Sequence, residues 1–354
     1  KPVLPNPLII FPAGPAIGLL LGILFVLILD HLEDKIVGIS DIEHRLRLKT
    51  LAVLPHVRRT KREQLARLVI DDKFSQFAEA VAGLRNLLDS PRYQEMSKVL
   101  LCMSTQPGEG KTVTSCSLAA SCAQSGQRTL LVDFDMRRPR LARIFEKGPD
   151  EFNSLPHTLI KADPSLFDSL PVSAGVENLD IILAKASSEI SPANLMGSGI
   201  IVDFFTWARQ NYDRVIIDSP PFGIVGDVMT LASLADSVMI MCCPDRTRFQ
   251  PIKHAARTLT ESGARVIGVI VNDVDFGRRN HFSQYDYHYR YAYRYTSRYG
   301  AYGQGKRRTG SADTEGEVPS RATAARPVYG DDLAPPSQVT LRQDHVDLSM
   351  TDDE

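Results

Sequence analysis

A glycine-rich turn between an apolar run and a helix-compatible run constrains the fold of this chain most strongly. The apolar run covers residues 99–103, the helix-compatible run covers residues 113–125, and residues 106–112 between them read QPGEGKT. A strand that feeds such a turn directs several main-chain N–H groups and the positive end of the helix at one point, where a phosphate chain can bind. The turn therefore predicts a Walker A phosphate-binding loop.

Each residue type in the turn suits this chemistry. Gly108 and Gly110 lack the Cβ atoms that would keep phosphate from the backbone, Lys111 supplies a point charge, and the Thr112 hydroxyl can ligate Mg²⁺. The complete pattern has Gly where Thr105 stands, so the match is partial. The predicted nucleotide-binding residues are Gly108, Glu109, Gly110, Lys111, Thr112 and Val113.

Two further apolar runs end in aspartate. Residues 129–132 lead into Asp133 and Asp135, and residues 214–217 lead into Asp218. A single aspartate at such a place is usually a turn residue or a helix cap. In an open parallel sheet, however, ligands bind beyond the carboxyl ends of the strands, so these three aspartates and the turn are expected to share one crevice.

Strand and helix signals alternate through residues 98–276, which we interpret as one domain. Alternation of this kind predicts right-handed crossovers and a doubly wound, mostly parallel α/β sheet of the P-loop NTPase type. The first strand candidate is the segment that ends at residue 105, and the others cover residues 129–132, 179–183, 215–217, 238–243 and 266–271. Helix-length intervals between them include residues 200–210 and 228–234.

Composition narrows the classes of function. The formal net charge of −1 gives no general basis for nucleic-acid binding, which requires a basic excess or a basic face. The five cysteines lie in apolar contexts without metal-ligand spacing, which favours buried thiols in a reducing compartment.

The first 97 residues are predicted to hold a membrane segment and a cytoplasmic linker. Residues 8–29 contain no charge and are long enough to span a bilayer, so a transmembrane helix is expected within residues 1–30, with a cleavable signal peptide as the alternative. Because ATP and Mg²⁺ are cytosolic, the carboxyl-terminal side is expected in the cytoplasm. Residues 40–43 read as a capping box, and the basic residues 58–62 indicate either a solvated linker or a contact with anionic lipid.

A helix is expected between Asp72 and Leu88, where apolar residues recur at helical spacing from Phe74 onward. Glu79 and Arg85 lie off this apolar stripe. They either solvate the helix or contact another subunit.

Tyrosines are concentrated in residues 277–302. Interleaved arginines and alternation could indicate an edge strand or stacking on single-stranded nucleic acid, but the glycine-rich flank favours a mobile segment. Residues 303–354 are polar and are expected to be disordered. The eight clustered tyrosines are Tyr285, Tyr287, Tyr289, Tyr291, Tyr293, Tyr295, Tyr299 and Tyr302.

In this order, the pieces resemble the bacterial tyrosine kinases fused to polysaccharide co-polymerases, membrane proteins of capsule and exopolysaccharide export. The resemblance covers residues 2–302 and rests on the membrane segment, the tyrosine cluster, PGEGKT at 107–112, VDFDMRRP at 132–139 and IDSPP at 217–221. It implies a bacterial inner-membrane protein, preceded in the full protein by a first transmembrane helix and a periplasmic domain. The implied partners are further copies of the chain, the polysaccharide polymerase and export machinery, a protein-tyrosine phosphatase and membrane lipid, but not nucleic acid.

The resemblance also implies roles for the site residues, with ATP and Mg²⁺ as cofactors. Lys111 would hold the phosphates, Thr112 and Asp218 would organise Mg²⁺, Asp133 would support the metal through water, and Asp135 would deprotonate the incoming tyrosine. The clustered tyrosines would accept phosphate from a neighbouring subunit.

The chain departs from the family pattern at two positions. Val113 stands where a second Ser or Thr is usual, and Ala82 replaces the middle arginine of a subunit contact that would otherwise comprise Glu79 and Arg85. The sequence thus predicts an ATP-dependent protein-tyrosine autokinase that regulates surface-polysaccharide polymerisation and export. The alternatives are a partition-type ATPase switch and a non-catalytic co-polymerase scaffold.

Overall fold

A computed structural model describes residues 14–25, 34–36, 38–39, 41–57, 60–186, 191–223, 226–244 and 246–276 of the chain. Its strands are β1 (Thr50–Pro55), β2 (Val99–Ser104), β3 (Thr129–Asp133), β4 (Val172–Val176), β5 (Leu179–Ile182), β6 (Arg214–Asp218), β7 (Ser237–Cys242) and β8 (Val266–Val274). Its α-helices from residue 60 onward are α1 (Arg62–Asp71), α2 (Gln76–Leu88), α3 (Lys111–Gln124), α4 (Leu141–Ile144), α5 (Leu155–Leu159), α6 (Pro192–Met196), α7 (Ile200–Asn211), α8 (Asp227–Leu234) and α9 (Phe249–Glu261).

The strands form one sheet in the order β1-β8-β7-β2-β6-β3-β5-β4. Strand β2 lies in the middle and pairs in parallel with β6 and β7, and only the β4–β5 pair among the described strands is antiparallel. The predicted mostly parallel α/β sheet is confirmed. Its carboxyl ends bring the turn after β2 together with the ends of β3, β6, β7 and β8.

Helices cover both faces of the sheet. Alternate residues of β2 face opposite sides of the sheet. Leu101 and Met103 lie in one buried cluster with helices α7, α8 and α9, and Leu100 and Cys102 lie in the other with α2 and α3. This alternation follows from the period of two along a strand. The central strands are therefore buried on both faces, which is why they read as continuous apolar runs.

Helix α3 is buried along almost its whole length and is built mainly from Ser, Thr, Ala and Cys. Small side chains allow it to lie close to the sheet directly behind the turn after β2. The helix begins at Lys111, two residues before the predicted start at Val113.

The sheet extends further towards the amino terminus than the sequence predicted. Residues 50–55 form edge strand β1, paired in parallel with β8, although the predicted domain begins near Lys98. The strand is short, entirely buried and ends at Pro55. A proline is compatible with this place because an edge strand leaves one row of N–H groups unpaired.

Helix α2 confirms the predicted apolar stripe except at its start. Phe77, Val81, Leu84 and Leu88 are buried, whereas Phe74 is 81% exposed. The prediction for Phe74 was wrong because the helix begins only at Gln76. The Ser75 hydroxyl accepts a hydrogen bond from the Ala78 N–H at 3.2 Å and caps the helix there.

Two predictions near the amino terminus extend beyond the described residues. Residues 14–25 are helical with exposed apolar side chains, but the rest of the predicted span at residues 8–29 is not described. Within the described ranges, no helix is long and apolar enough to cross a membrane. The predicted cap at Ser40 is not described either, and a single π-helical turn covers Asp41–Arg45.

Candidate functional site

The turn between β2 and α3 has the backbone that a phosphate-binding loop requires. Gly108 and Gly110 adopt φ angles of 87° and 99°. A Cβ atom at Gly110 would lie 1.9 Å from Nδ2 of Asn272. Glycine is needed at this position both for the left-handed backbone and for the close approach of the β8 side chain.

Lys111 starts α3 and lies at the bottom of the turn. Its Nζ atom donates a hydrogen bond to the Ser104 hydroxyl at 3.0 Å, and that hydroxyl donates to the Gln106 carbonyl at 2.7 Å. Burial lowers the pKa of Lys111, while the carboxylates of Asp218 and Asp135 oppose this shift. The ammonium group lies among acidic side chains and bonds the Ser104 hydroxyl, at the base of the predicted phosphate site.

Glu109 was predicted among the nucleotide-binding residues, but its side chain is directed elsewhere. It is only 3% exposed and is absent from the lining of the cavity above the turn. One carboxylate oxygen accepts from the Gln106 N–H at 3.0 Å, and the other accepts from the Thr247 hydroxyl. Only the backbone of Glu109 remains available as a phosphate ligand, whereas Val113 does line the cavity.

Asp133 ends β3 and is almost completely buried. Its Oδ2 atom accepts from the N–H groups of Arg140 and Leu141 at 3.0 and 3.1 Å, so it caps the start of α4. Burial, together with the charge of Asp218, raises the pKa of Asp133 well above its ordinary value, and the two N–H groups oppose this. Asp133 lies beside Asp218 in the sheet but does not line the cavity.

Asp218 ends β6 and is also buried. Burial raises its pKa to about 6, against the opposing effects of the Lys111 ammonium and a hydrogen bond with the Thr112 hydroxyl. Its Oδ1 atom has no hydrogen-bond partner within the described part of the chain. A buried carboxylate oxygen without a partner is costly unless a ligand or solvent completes it.

Of the three predicted aspartates, Asp135 alone lines the cavity. Its Oδ1 atom accepts from the Arg138 N–H at 3.1 Å. Burial raises the pKa of Asp135, while this N–H and the Lys111 ammonium oppose the shift. A carboxylate in this position can accept a proton from a group that enters the cavity.

The cavity has a volume of about 580 Å³ and extends from the turn to the ends of β1 and β8. Sequence reasoning identified its phosphate end but missed its far end and its arginines. The rule that parallel strands end at one edge would have indicated Asn272 and Asp273 at the end of β8. The missed lining residues with polar side chains are His56, Thr60, Arg137, Arg138, Arg140, Arg246, Asn272 and Asp273.

A line of polar contacts joins this far end to the turn. His56 Nδ1 lies 2.6 Å from Asp273 Oδ1, and the other oxygen of Asp273 lies 3.5 Å from Arg246 Nη2. The same Arg246 nitrogen donates to the Gly108 carbonyl at 3.3 Å. Asn272 Nδ2 donates to the Glu109 carbonyl at 3.1 Å.

The oxygen donors around Thr112 and Asp218 fit Mg²⁺, which is commonly bound by one or two carboxylates together with substrate phosphates and water. The described residues contain no cluster of three or more His, Cys, Asp or Glu side chains that could hold a metal by themselves. The partnerless Asp218 oxygen is the atom that a cation would satisfy.

The remaining predicted residues lie away from this site or outside the described ranges. Glu79 is exposed on α2, and Arg85 on the same helix donates to the Ser121 carbonyl of α3 at 3.1 Å. Arg85 therefore already has a partner within its own chain. The tyrosine cluster at residues 277–302 lies outside the described residues. The five cysteines are free and buried, as predicted.

Sequence and structure comparisons relate this chain to known proteins. A sequence profile described as an AAA domain matches residues 97–264. CapB of Staphylococcus aureus is 28% identical over 230 residues, which are 65% of this chain and 97% of CapB. The tyrosine-protein kinase CpsD of Streptococcus pneumoniae serotype 4 is 31% identical over 178 residues, which are 50% of this chain and 77% of CpsD.

Other relatives are longer than the region they share with this chain. EpsB of Ralstonia solanacearum is 28% identical over 313 residues, which are 81% of this chain but only 40% of EpsB. Among solved structures, the kinase domain of VpsO superposes with a TM-score of 0.50 at 31% identity, over 58% of this chain and 99% of that domain. The kinase domain of the Escherichia coli tyrosine kinase ETK has a TM-score of 0.62 at 22% identity, over 69% of this chain and 96% of that domain, and so has the same fold.

Proposed function

The chain belongs to the bacterial tyrosine kinases, and we propose that it transfers the γ-phosphoryl group of ATP to tyrosines of the 285–302 cluster in a neighbouring copy. The observation that carries this proposal is the convergence of Lys111 and Asp135 on one cavity. Lys111 supplies positive charge at the phosphate end, and Asp135 is an acid with a free approach from the cavity. Phosphoryl transfer depends mainly on positioning and on charge stabilisation, which these groups can provide.

The phosphates of ATP would lie on the turn after β2. The N–H groups of residues 108–112 and the start of α3 favour negative charge there. The ribose and base would extend towards Asn272 and Asp273, because the cavity continues in that direction. Its volume of about 580 Å³ falls in the range of ordinary small-molecule sites.

Thr112 and Asp218 are the residues that would hold Mg²⁺, with Asp133 behind them in the next strand. Bound Mg²⁺ neutralises charge on the phosphate oxygens. Asp218 is suited to this role because its unpartnered Oδ1 atom and its raised pKa both reflect an incompletely compensated buried carboxylate.

Asp135 would accept the proton of the incoming tyrosine hydroxyl. A raised pKa makes a carboxylate a better proton acceptor, and the Arg138 N–H keeps the group oriented. Arg137, Arg138 and Arg140 line the same cavity and add positive charge near the phosphates. Asp135 therefore acts at the tyrosine side of the reaction, whereas Lys111 acts at the nucleotide side.

We place this kinase at a bacterial inner membrane, with its catalytic domain in the cytoplasm and residues 8–29 as the anchor. The exposed apolar side chains of residues 17–25 support an apolar environment for this segment. Its function would be to regulate polymerisation and export of a surface polysaccharide, together with further copies of itself, the export machinery and a phosphatase. Each phosphotyrosine would add about 1.5 to 2 negative charges beside the interleaved arginines and so alter these associations.

Incubation of the purified chain with labelled ATP and Mg²⁺ tests the proposal. Replacement of all eight cluster tyrosines by Phe should remove autophosphorylation and preserve ATP binding, because the rings remain and only the acceptor hydroxyls are lost. Tyr329→Phe is the matched control, since it changes a tyrosine of the same tail outside the cluster. Undiminished phosphotyrosine in the eightfold variant, or release of free phosphate without any phosphotyrosine in the unmodified chain, would contradict the proposal.

A further inference from the structure

A buried carboxylate lies on the outer side of the phosphate-binding loop. Glu109 bridges two groups, the Gln106 N–H within the loop and the Thr247 hydroxyl in the segment between β7 and α9. The Gln106 carbonyl is fixed at the same time by the Ser104 hydroxyl at 2.7 Å. The peptide groups on both sides of Gln106 are therefore held, one by a strand-end serine and the other by a side chain that depends on Thr247.

Neither Glu109 nor Thr247 lines the cavity. Thr247 is completely buried, and 138 residues of sequence separate it from Glu109. Any effect of the Thr247 hydroxyl on a bound nucleotide must therefore pass through the conformation of the loop. The hydroxyl is itself oriented, since it accepts a hydrogen bond from the Cys243 N–H at 2.8 Å and directs its proton to Glu109.

We propose that Thr247 is a positioning residue for ATP binding, which holds the phosphate-binding loop in its receptive conformation through the Glu109 carboxylate. The inference rests on the proposed ATP site. A hydroxyl bound to a buried carboxylate is among the stronger hydrogen bonds in proteins, and loss of one partner leaves a buried polar group unsatisfied. The loop N–H groups bind phosphate only when they point to one centre, so their preorganisation contributes directly to affinity.

The position of Thr247 is set by a segment far away in the sequence. The Ile36 N–H donates to the Thr247 carbonyl at 3.0 Å, and Ile36 is buried in the core. Asp34 accepts from the Phe249 N–H at 2.7 Å through its carbonyl, and its carboxylate accepts from the Gln250 N–H at 3.1 Å at the start of α9. Residues 34–36 thus hold the main chain at Thr247 and at the start of α9.

Calorimetric titration of the full chain with Mg²⁺-ATP tests this proposal. Thr247→Val keeps the side-chain volume but removes the hydroxyl, and we expect it to weaken ATP binding about tenfold. Thr247→Ser keeps the hydroxyl but removes a methyl group, and its affinity should stay within about threefold of the unmodified chain. If Thr247 served packing alone, the two variants would differ in melting temperature but not in ATP affinity. The proposed role instead predicts that Thr247→Ser, which keeps the hydroxyl, binds ATP more tightly than Thr247→Val.

Changes on the partner side give an independent measurement. Glu109→Gln keeps the volume but leaves one acceptor oxygen for two donors, so it should also weaken ATP binding. In the Thr247→Val/Glu109→Gln double variant the two losses should be less than additive, because both act through one contact. Thr129→Val is the matched control, since it removes a buried threonine hydroxyl that bonds the Gln127 carbonyl, away from the loop.

The outcomes separate the two proposals. If the unmodified chain does not bind ATP, the proposed function itself fails. If it binds ATP but Thr247→Val and Glu109→Gln bind equally well, or if the two losses add fully, the positioning role of Thr247 is wrong. A loss of ATP affinity in Thr129→Val as large as that in Thr247→Val would also refute it.

Discussion

Asp218→Asn should make the nucleotide-free protein more stable while it impairs the site. The structure buries this carboxylate beside Asp133 and leaves one of its oxygens without a partner among the described residues. Burial raises the pKa of Asp218 from its ordinary 3.8 to about 6. A carboxyl whose pKa rises on folding is destabilised in its ionised form, and asparagine has nearly the same shape without the charge.

The magnitude follows from this shift. About two pKa units at roughly 1.4 kcal/mol each correspond to about 3 kcal/mol at pH 7.5, where Asp218 is ionised. This shift already includes the opposing attraction of the Lys111 ammonium, so the net gain should be about 3 kcal/mol. For a domain of this size, each kcal/mol corresponds to roughly 2 to 4 °C in melting temperature.

The dependence on pH has a defined sign. Above pH 6 the ionised carboxylate destabilises the folded chain fully, below about pH 4 the carboxyl is protonated in both states, and between these limits the penalty decreases as pH falls. The stability advantage of the variant should therefore shrink by about half between pH 7.5 and pH 5. Denaturant unfolding of the purified chain with chelator and without nucleotide measures it, and Asp203→Asn, at an exposed carboxylate on α7, is the control.

Two results would refute this reasoning. The first is a variant that is less stable than the unmodified chain at pH 7.5, and the second is a stability difference that does not change with pH. Addition of Mg²⁺-ATP should reverse the order, because the ligand stabilises only a protein that binds it. A melting temperature that rises equally with Mg²⁺-ATP in both proteins would exclude Asp218 as a metal ligand.

Four further substitutions test separate parts of the site and the membrane segment. Lys111→Met should abolish ATP binding in calorimetry, while Asp135→Asn should lower phosphoryl transfer at saturating ATP about 10²- to 10⁴-fold with little change in ATP affinity, because a base acts mainly in the transition state. Gly110→Ala should weaken ATP binding more than tenfold, since its Cβ atom would lie 1.9 Å from Asn272 Nδ2 at a φ of 99°, and unchanged binding would contradict the observed backbone. Leu21→Arg should reduce membrane insertion at a cost of about 2.5 to 3.5 kcal/mol, and recovery of the unmodified chain from cells without detergent in the soluble fraction would refute a spanning helix.

The central part of the fold could be predicted from the sequence because its signals are local. The runs that form β2, β3 and β6 are apolar on both faces, and each ends in a turn or an acidic residue. The apolar pattern and the residues that end it therefore indicate the same strand boundaries. Strand β1 gives a similar apolar run, but its partner β8 begins at residue 266. No local pattern in residues 50–55 indicates a pairing across more than 200 residues of sequence.

The candidate site divides in the same way. Lys111 and Asp135 could be predicted from their motifs and from the rule for strand ends, and both line the cavity. The same rule would have indicated Asn272 near the end of β8, but it could not have indicated Arg246, which lies in the segment after β7 and reaches the Gly108 carbonyl with its side chain. The contact of Arg246 with the loop depends on tertiary packing alone.

Glu109 shows that a residue's position in a motif does not determine the role of its side chain. The loop pattern places it between two glycines, where a side chain can point either towards the ligand or away from it, and the sequence does not distinguish these directions. The structure directs the carboxylate away, because the buried Thr247 hydroxyl and the Gln106 N–H together satisfy it there. The two glycines then leave the inner side of the loop to main-chain N–H groups, which is the surface that a phosphate chain requires. If Thr247 has the proposed role, side chains outside the cavity decide how well ATP binds.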